Sequence, residues 1–108
     1  MLACCGEAAA GPALACPPQE QGIGMIQNAS YIRRWSEYCG VPEAEIVKQT
    51  DSTIKLTINN CLRPQRVDQA RIDQTLAAGR SLADQMIAQM PDKTEHCSRV
   101  KHAYDNGK

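Results

Sequence analysis

No phenylalanine occurs among the 108 residues, and the only other aromatics are one Trp and three Tyr. A core must therefore be built from aliphatic side chains, with Trp35 and the tyrosines as its few bulky pieces. No stretch approaches 18 consecutive apolar residues, so no segment reads as a membrane-spanning helix. Positive and negative side chains balance at 12 each, which removes any global pull toward nucleic acid or an anionic bilayer. With two His, no Gly-x-Ser-x-Gly elbow and no HExxH, no base–nucleophile pair is legible from spacing. The chain reads as non-enzymatic and without a cofactor.

What the sequence has in excess is cysteine: six residues, with no CxxC for zinc and no CxxCH for haem. Two of them, Cys4 and Cys5, lie in an Ala/Gly-rich opening, MLACCGEAAAGPALA. Its end, Ala13-Leu14-Ala15, has the small-x-small form of a signal-peptidase site, although no Lys or Arg precedes Arg33. Residues 1–15 are read as the remnant of an export signal or as a disordered leader. Lipid attachment is conceivable at Cys4 or at Cys16, each preceded by a short lipobox-like tripeptide. Past residue 15 four Cys remain (16, 39, 61 and 97), an even number in a short chain, as in a two-disulfide framework. A domain this small gains from such staples, because its core is marginal. The expected location is periplasmic or secreted.

Residues 16–24 (CPPQEQGIG) read as an extended arm, and 25–107 as one helical domain. Tyr31, Trp35 and Tyr38 recur at i, i+4, i+7, with Gly40 to end that helix. Pro42-Glu43-Ala44-Glu45 resembles a fresh first turn. Asp51 to Leu62 alternates like a strand but also fits helical spacing. A lone strand has no pairing partner, so helix is the expectation. Ile72, Leu76, Gly79, Ala83, Met86 and Met90 step by four and three, widened by Val67, Ala70, Leu82 and Ile87. They predict one long helix over 66–90, stopped by Pro91. The small residues at 79 and 83 predict close approach of a neighbouring helix. Asp92 and Glu95 resemble a capping box for a last helix. The fold class is all-α: a small disulfide-stapled bundle of about four helices.

Helix geometry selects one disulfide pairing. A helix over 66–90 is about 37 Å long, so Cys61 before it and Cys97 after it lie too far apart to bond. If short connections make successive helices antiparallel, Cys39 shares a pole with Cys97 and Cys16 with Cys61.

Two readings of the surface follow. Tyr31, Arg33, Arg34, Trp35 and Tyr38 are of the residue types that dominate protein interfaces, so they are the candidate contact set for a protein partner. The expected role is an exported partner-binding domain: an adaptor, an inhibitor or an immunity-like factor. The alternative lies in residues 43–63, which resemble a helix-turn-helix unit whose second helix would present Lys55, Asn59, Asn60 and Arg63 to base edges. That reading makes the protein a cytosolic DNA-binding regulator. The absence of a turn glycine, a spacing one residue long and the neutral chain favour two packed helices with a polar outer face. Thioether ligation of Cu(I) by Met86 and Met90 near His96 is chemically sensible, but Met on such a stripe is read as core filler.

Overall fold

A computed structural model describes residues 16–106, in which four helices and no strands occur. Helix α1 spans Gln19–Cys39 and α3 spans Gln69–Gln89, each 21 residues. Helix α4 spans Thr94–Asn106. Between α1 and α3, four short stretches follow one another without a break: Glu43–Ile46, Val47–Asp51, Ser52–Thr57 and Ile58–Leu62. All their junctions keep right-handed helical dihedrals, so they form one rod, α2, with two wider π-type turns. The ambiguous 51–62 stretch is helix.

Helix α1 begins directly after Pro17-Pro18, and the amide of Gly22 donates to the Pro18 carbonyl at 3.0 Å. The expected extended arm over 16–24 is therefore helical from residue 19. Two glycines weaken that turn, yet Ile23 and Ile26 are buried in the core. Gly22 itself lets Leu62 lie 3.0 Å from where a Cβ would stand. Burial outweighs propensity there. The far end of α1 closes in a Schellman motif: Gly40 is left-handed (φ 84°), and Val41 N–H donates to Ser36 C=O at 3.0 Å.

The same motif ends α2, with the Val67 amide on the Leu62 carbonyl, but its left-handed position is Arg66 (φ 69°). Arg66 is exposed. An L side chain in that conformation costs roughly 1 kcal/mol. Arg66→Gly is accordingly expected to stabilise the protein by about 0.5–1 kcal/mol. A urea melt showing no gain would mean that the Arg66 side chain contributes more than its backbone strain costs.

Asp68 caps α3, its carboxylate accepting from the Arg71 amide at 2.9 Å, so the long helix starts at 69 rather than 66. Asp92 accepts from the Thr94 amide at 3.0 Å and starts α4. Hydrogen bonds from the Thr94 amide and hydroxyl lower the Asp92 pKa below its ordinary value. At the start of α3, Arg71 also holds Glu20 of α1 at 2.7 Å, and this hydrogen bond lowers the Glu20 pKa.

The core consists of three clusters around α1. At one pole Ile23 and Ile26 meet Ile58 and Leu62 of α2, together with Val67 and Ile72. At the other, Trp35 and Cys39 meet Ala83, with Ile87, Met90, Cys97 and Val100 packed around them. A third joins Val41, Ile46 and Tyr104. Between the poles α1 and α3 touch backbone to side chain. A Cβ on Gly79 would stand 2.3 Å from the Gln27 carbonyl oxygen and 2.9 Å from Ser30 Cβ. The expected stripe on α3 holds through Ile72, Gly79 and Ala83 and then shifts. Ile87 and Met90 face the core, whereas Leu82 and Met86 are 45% and 37% exposed. Helix α4 supplies Cys97 and Val100 on the Ile87 side, which draws the buried face toward it. Ala70 is exposed as well.

Each pole is closed by a disulfide, Cys16–Cys61 at one and Cys39–Cys97 at the other, with Cα separations of 5.6 and 5.3 Å. This is the pairing expected from helix length. Because the Cys16 sulfur is bonded to Cys61, a lipid on that sulfur does not fit this fold. The leader over 1–15, with its possible lipid at Cys4, lies outside the described residues, as does the expected helix end at 107.

Helix α4 is also fixed by hydroxyl groups. The Tyr104 hydroxyl lies 2.8 Å from Ser36 Oγ on α1 and 2.5 Å from Thr50 Oγ1 on α2, all three residues being buried. Removing the phenolic oxygen takes the partner of Thr50 Oγ1, whereas Ser36 Oγ still donates to the Ile32 carbonyl at 2.7 Å. Tyr104→Phe is expected to cost about 1–2 kcal/mol in a chemical melt. A loss below about 0.5 kcal/mol would mean the Thr50 hydroxyl finds another partner in the variant.

Candidate interaction surfaces

Five residues of α1 were candidates for a partner contact, although the rings of a chain without Phe read first as core, and the helix distributes the five around its circumference. Trp35 is 1% exposed and belongs to the core, with the His96 ring centroid 3.9 Å from its own. It is not available to a partner. In a chain without Phe, the one indole is what fills the space between α1, α3 and α4. Tyr38 packs edge-on against Trp35 and is 46% exposed, with Lys93 Nζ 5.6 Å from its ring centroid. Tyr31 is half-buried against the Trp35 cluster.

Successive residues on a helix point about 100° apart, so Arg33 and Arg34 leave α1 on different sides. Arg33 faces α2, where it bonds Asp51 (2.8 and 3.1 Å) and Glu43 (2.7 Å), and it also pairs with Glu37 on its own helix. Burial works against its charge, but the hydrogen bonds with Asp51 and Glu43 prevail and raise its pKa above the ordinary value. Arg34 faces α3 and pairs with Asp84 at 2.6 Å. Both arginines therefore act as clasps between helices, and Tyr38 alone of the five presents a largely free side chain.

The apolar surface that α1 does expose lies outside that candidate set. Met25 and Ile32 are 42% and 38% exposed, and with Asn28 they form a ridge along the outer side of α1. On its α2 side runs a groove of about 320 Å³ between Met25, Ile32, Gln49 and Thr53. On its α3 side a second groove of about 210 Å³ is lined by Gly24, Gln27, Asn28, Tyr31 and Leu82. No charged side chain lines either one. Recognising this ridge requires knowing that α2 and α3 flank α1, which periodicity within α1 does not convey.

The alternative DNA-reading set is only partly brought together. Lys55, Asn59 and Arg63 line one groove of about 350 Å³ on α2, floored by Ile54 and Ile58. Asn60 is exposed but does not line it. The turn that a helix-turn-helix unit requires near residues 49–53 is absent, since α2 passes through them as continuous helix. Asp51, which stands where that turn would lie, is held by Arg33.

Among the described residues no group of three or more His, Cys, Asp or Glu is placed to hold a metal ion. Cys97 is in a disulfide, and Met90 packs in the Trp35 cluster. Also among them, no helix is long and apolar enough to cross a membrane.

The chain matches no family model, no curated protein and no solved structure. Its own geometry is thus the basis for reading its function.

Proposed function

We propose that the protein is a small exported, non-enzymatic helical domain that binds another protein through the ridge of α1 and the adjoining flank of α3. The observation that carries this reading is the set of large apolar side chains left in water there. Met25, Ile32 and Leu82 are each more than a third exposed, and the grooves beside them lack charge. Apolar side chains clustered at spots free of charge are what interface centres are made of. An oxidising compartment, periplasmic or extracellular, is supported by the two disulfides, which use every Cys of the described residues.

The test uses two surface variants of the oxidised protein. Ile32→Glu/Leu82→Glu places charge on both sides of the ridge, while Leu56→Glu alters a side chain that is 59% exposed on α2. Chemical crosslinking in the exported fraction of the source, followed by mass spectrometry, should give a protein captured by the parent and by Leu56→Glu. Capture by the ridge variant should fall at least about tenfold, which corresponds to roughly 1.4 kcal/mol. Equal capture by the ridge variant would reject the ridge as the contact surface. Four reactive thiols in the protein isolated from its source would reject the exported location.

A further inference from the structure

We propose that the outer face of α2 is a second docking surface, which takes an acidic amphipathic segment of a protein partner. The inference goes beyond the partner-binding reading of the α1 ridge and rests on different residues.

Charge on α2 is sorted by side. Its acids are already engaged: Glu43 bonds Arg33, the Glu45 carboxylate accepts from Gln49 and borders the cleft beside Lys101 and Tyr104, and Asp51, which lines the groove on this face, has both carboxylate oxygens bonded to Arg33. Its cations are not. Lys48, Lys55 and Arg63 are exposed, and none of them joins an ion pair among the described residues. Lys55 and Arg63 line one groove on this face. Arg66, also exposed and unpaired, continues the same charge just past the end of α2.

The groove on this face combines that charge with an apolar floor. Ile54 and Ile58 lie at its base, Lys55, Asn59 and Arg63 form its rim, and the one acid in its lining, Asp51, is neutralised by Arg33. Asn59 Oδ1 accepts from Arg63 Nε at 3.0 Å. The guanidinium is thus oriented along α2, and both terminal nitrogens are free to grip a carboxylate in two-pronged fashion. An occupant must bring anionic groups to the rim and apolar groups to the floor. An acidic amphipathic helix does both at i, i+3, i+4 spacing. A nucleic-acid backbone supplies the anions but nothing for the isoleucines, and its binding draws on a basic chain that this neutral one is not.

The probe is a fluorescently labelled synthetic helix of Glu, Ala and Leu, with the leucines on one face, titrated with the oxidised full chain and followed by anisotropy. Its Lys-for-Glu counterpart and a short DNA duplex serve as the comparison ligands. The acidic peptide should bind more tightly than either, and its affinity should fall several-fold as salt shortens the screening length from about 30 to 8 Å. Lys55→Glu/Arg63→Glu should weaken it at least tenfold. Lys55→Gln/Arg63→Gln, which adds no repulsion, should give an intermediate loss. Arg80→Glu, changing an exposed cation of α3 that is also unpaired, should leave affinity unchanged. Ile32→Glu/Leu82→Glu should bind the peptide like the parent, so that failure of the α1 ridge and failure of this face are told apart. Equal binding of the Lys peptide, tighter binding of the duplex, or undiminished binding by both α2 double variants would overturn the proposal.

Discussion

Gly79→Ala is expected to lower the stability of the oxidised protein by about 2–3 kcal/mol, the opposite of what a helix interior ordinarily does. In an exposed helix the same substitution gains up to about 1 kcal/mol, because Ala loses less backbone entropy. At Gly79 the added methyl would stand 2.3 Å from the Gln27 carbonyl oxygen and 3.0 Å from the Tyr31 amide nitrogen. Those atoms belong to a helix backbone that cannot rotate away. The two helices must separate, and Ile26, Ile72 and Ala83, all nearly inaccessible now, lose packing on both sides of the crossing. Gly24→Ala is the internal control. It too lies within α1, but nothing stands within 4 Å of its added methyl, so a gain of about 0.5–1 kcal/mol is expected. Chemical melts followed by circular dichroism check both. If Gly79→Ala melts with the parent, α1 and α3 cross at a greater distance than described.

Removing Cys39–Cys97 by paired Ser substitution is expected to have a larger effect, about 4 kcal/mol, from the entropy returned to the unfolded chain. The bonded residues are 58 apart, against 45 for Cys16–Cys61, and loop entropy grows so slowly that the two bonds should be nearly equal in a melt. They differ in what they hold. Cys97 is the covalent tie of α4, whose other anchors to the bundle include Val100, the His96 ring on Trp35, the Tyr104 ring and hydroxyl, and the Gln49 bond to the Tyr104 carbonyl. Trp35 lies under His96 and Cys97. Its emission should therefore shift to the red in Cys39→Ser/Cys97→Ser under native conditions, and stay blue in Cys16→Ser/Cys61→Ser. The same native emission in both variants would mean that α4 stays docked without its tie.

The disulfide pairing was legible because it depended on something sequence states well: a long helix and short connections, which put chain ends at opposite poles. The closeness of α1 and α3 was legible for a related reason, since a glycine kept within an apolar stripe is costly unless something touches it. Local choices decided by tertiary partners were less legible. Pro17-Pro18, Gly22 and Gly24 read as an arm, and the burial of Ile23 and Ile26 made them the first turns of α1. Asp51 read as the start of a new helix, and Arg33, eighteen residues earlier, gave it a partner that lets α2 run through. The proposed contact surfaces were hardest to read. Ile32 and Leu82 fit core spacing, and only the positions of α2 and α4 determine which side of each helix stays uncovered.

The two disulfides enclose overlapping stretches of chain, 16–61 and 39–97. Any single peptide bond between residues 16 and 97 therefore lies inside at least one covalent ring. A protease that cuts the 40–42 corner leaves the pieces joined through both disulfides, and one that cuts between 17 and 38 leaves them joined through Cys16–Cys61. One that cuts at 63–68 or 90–93 leaves them joined through Cys39–Cys97. The nicked molecule keeps its mass on a non-reducing gel and comes apart only when thiol is added. In a space where proteases are common and reductants scarce, one cut is a wound that the protein survives in one piece.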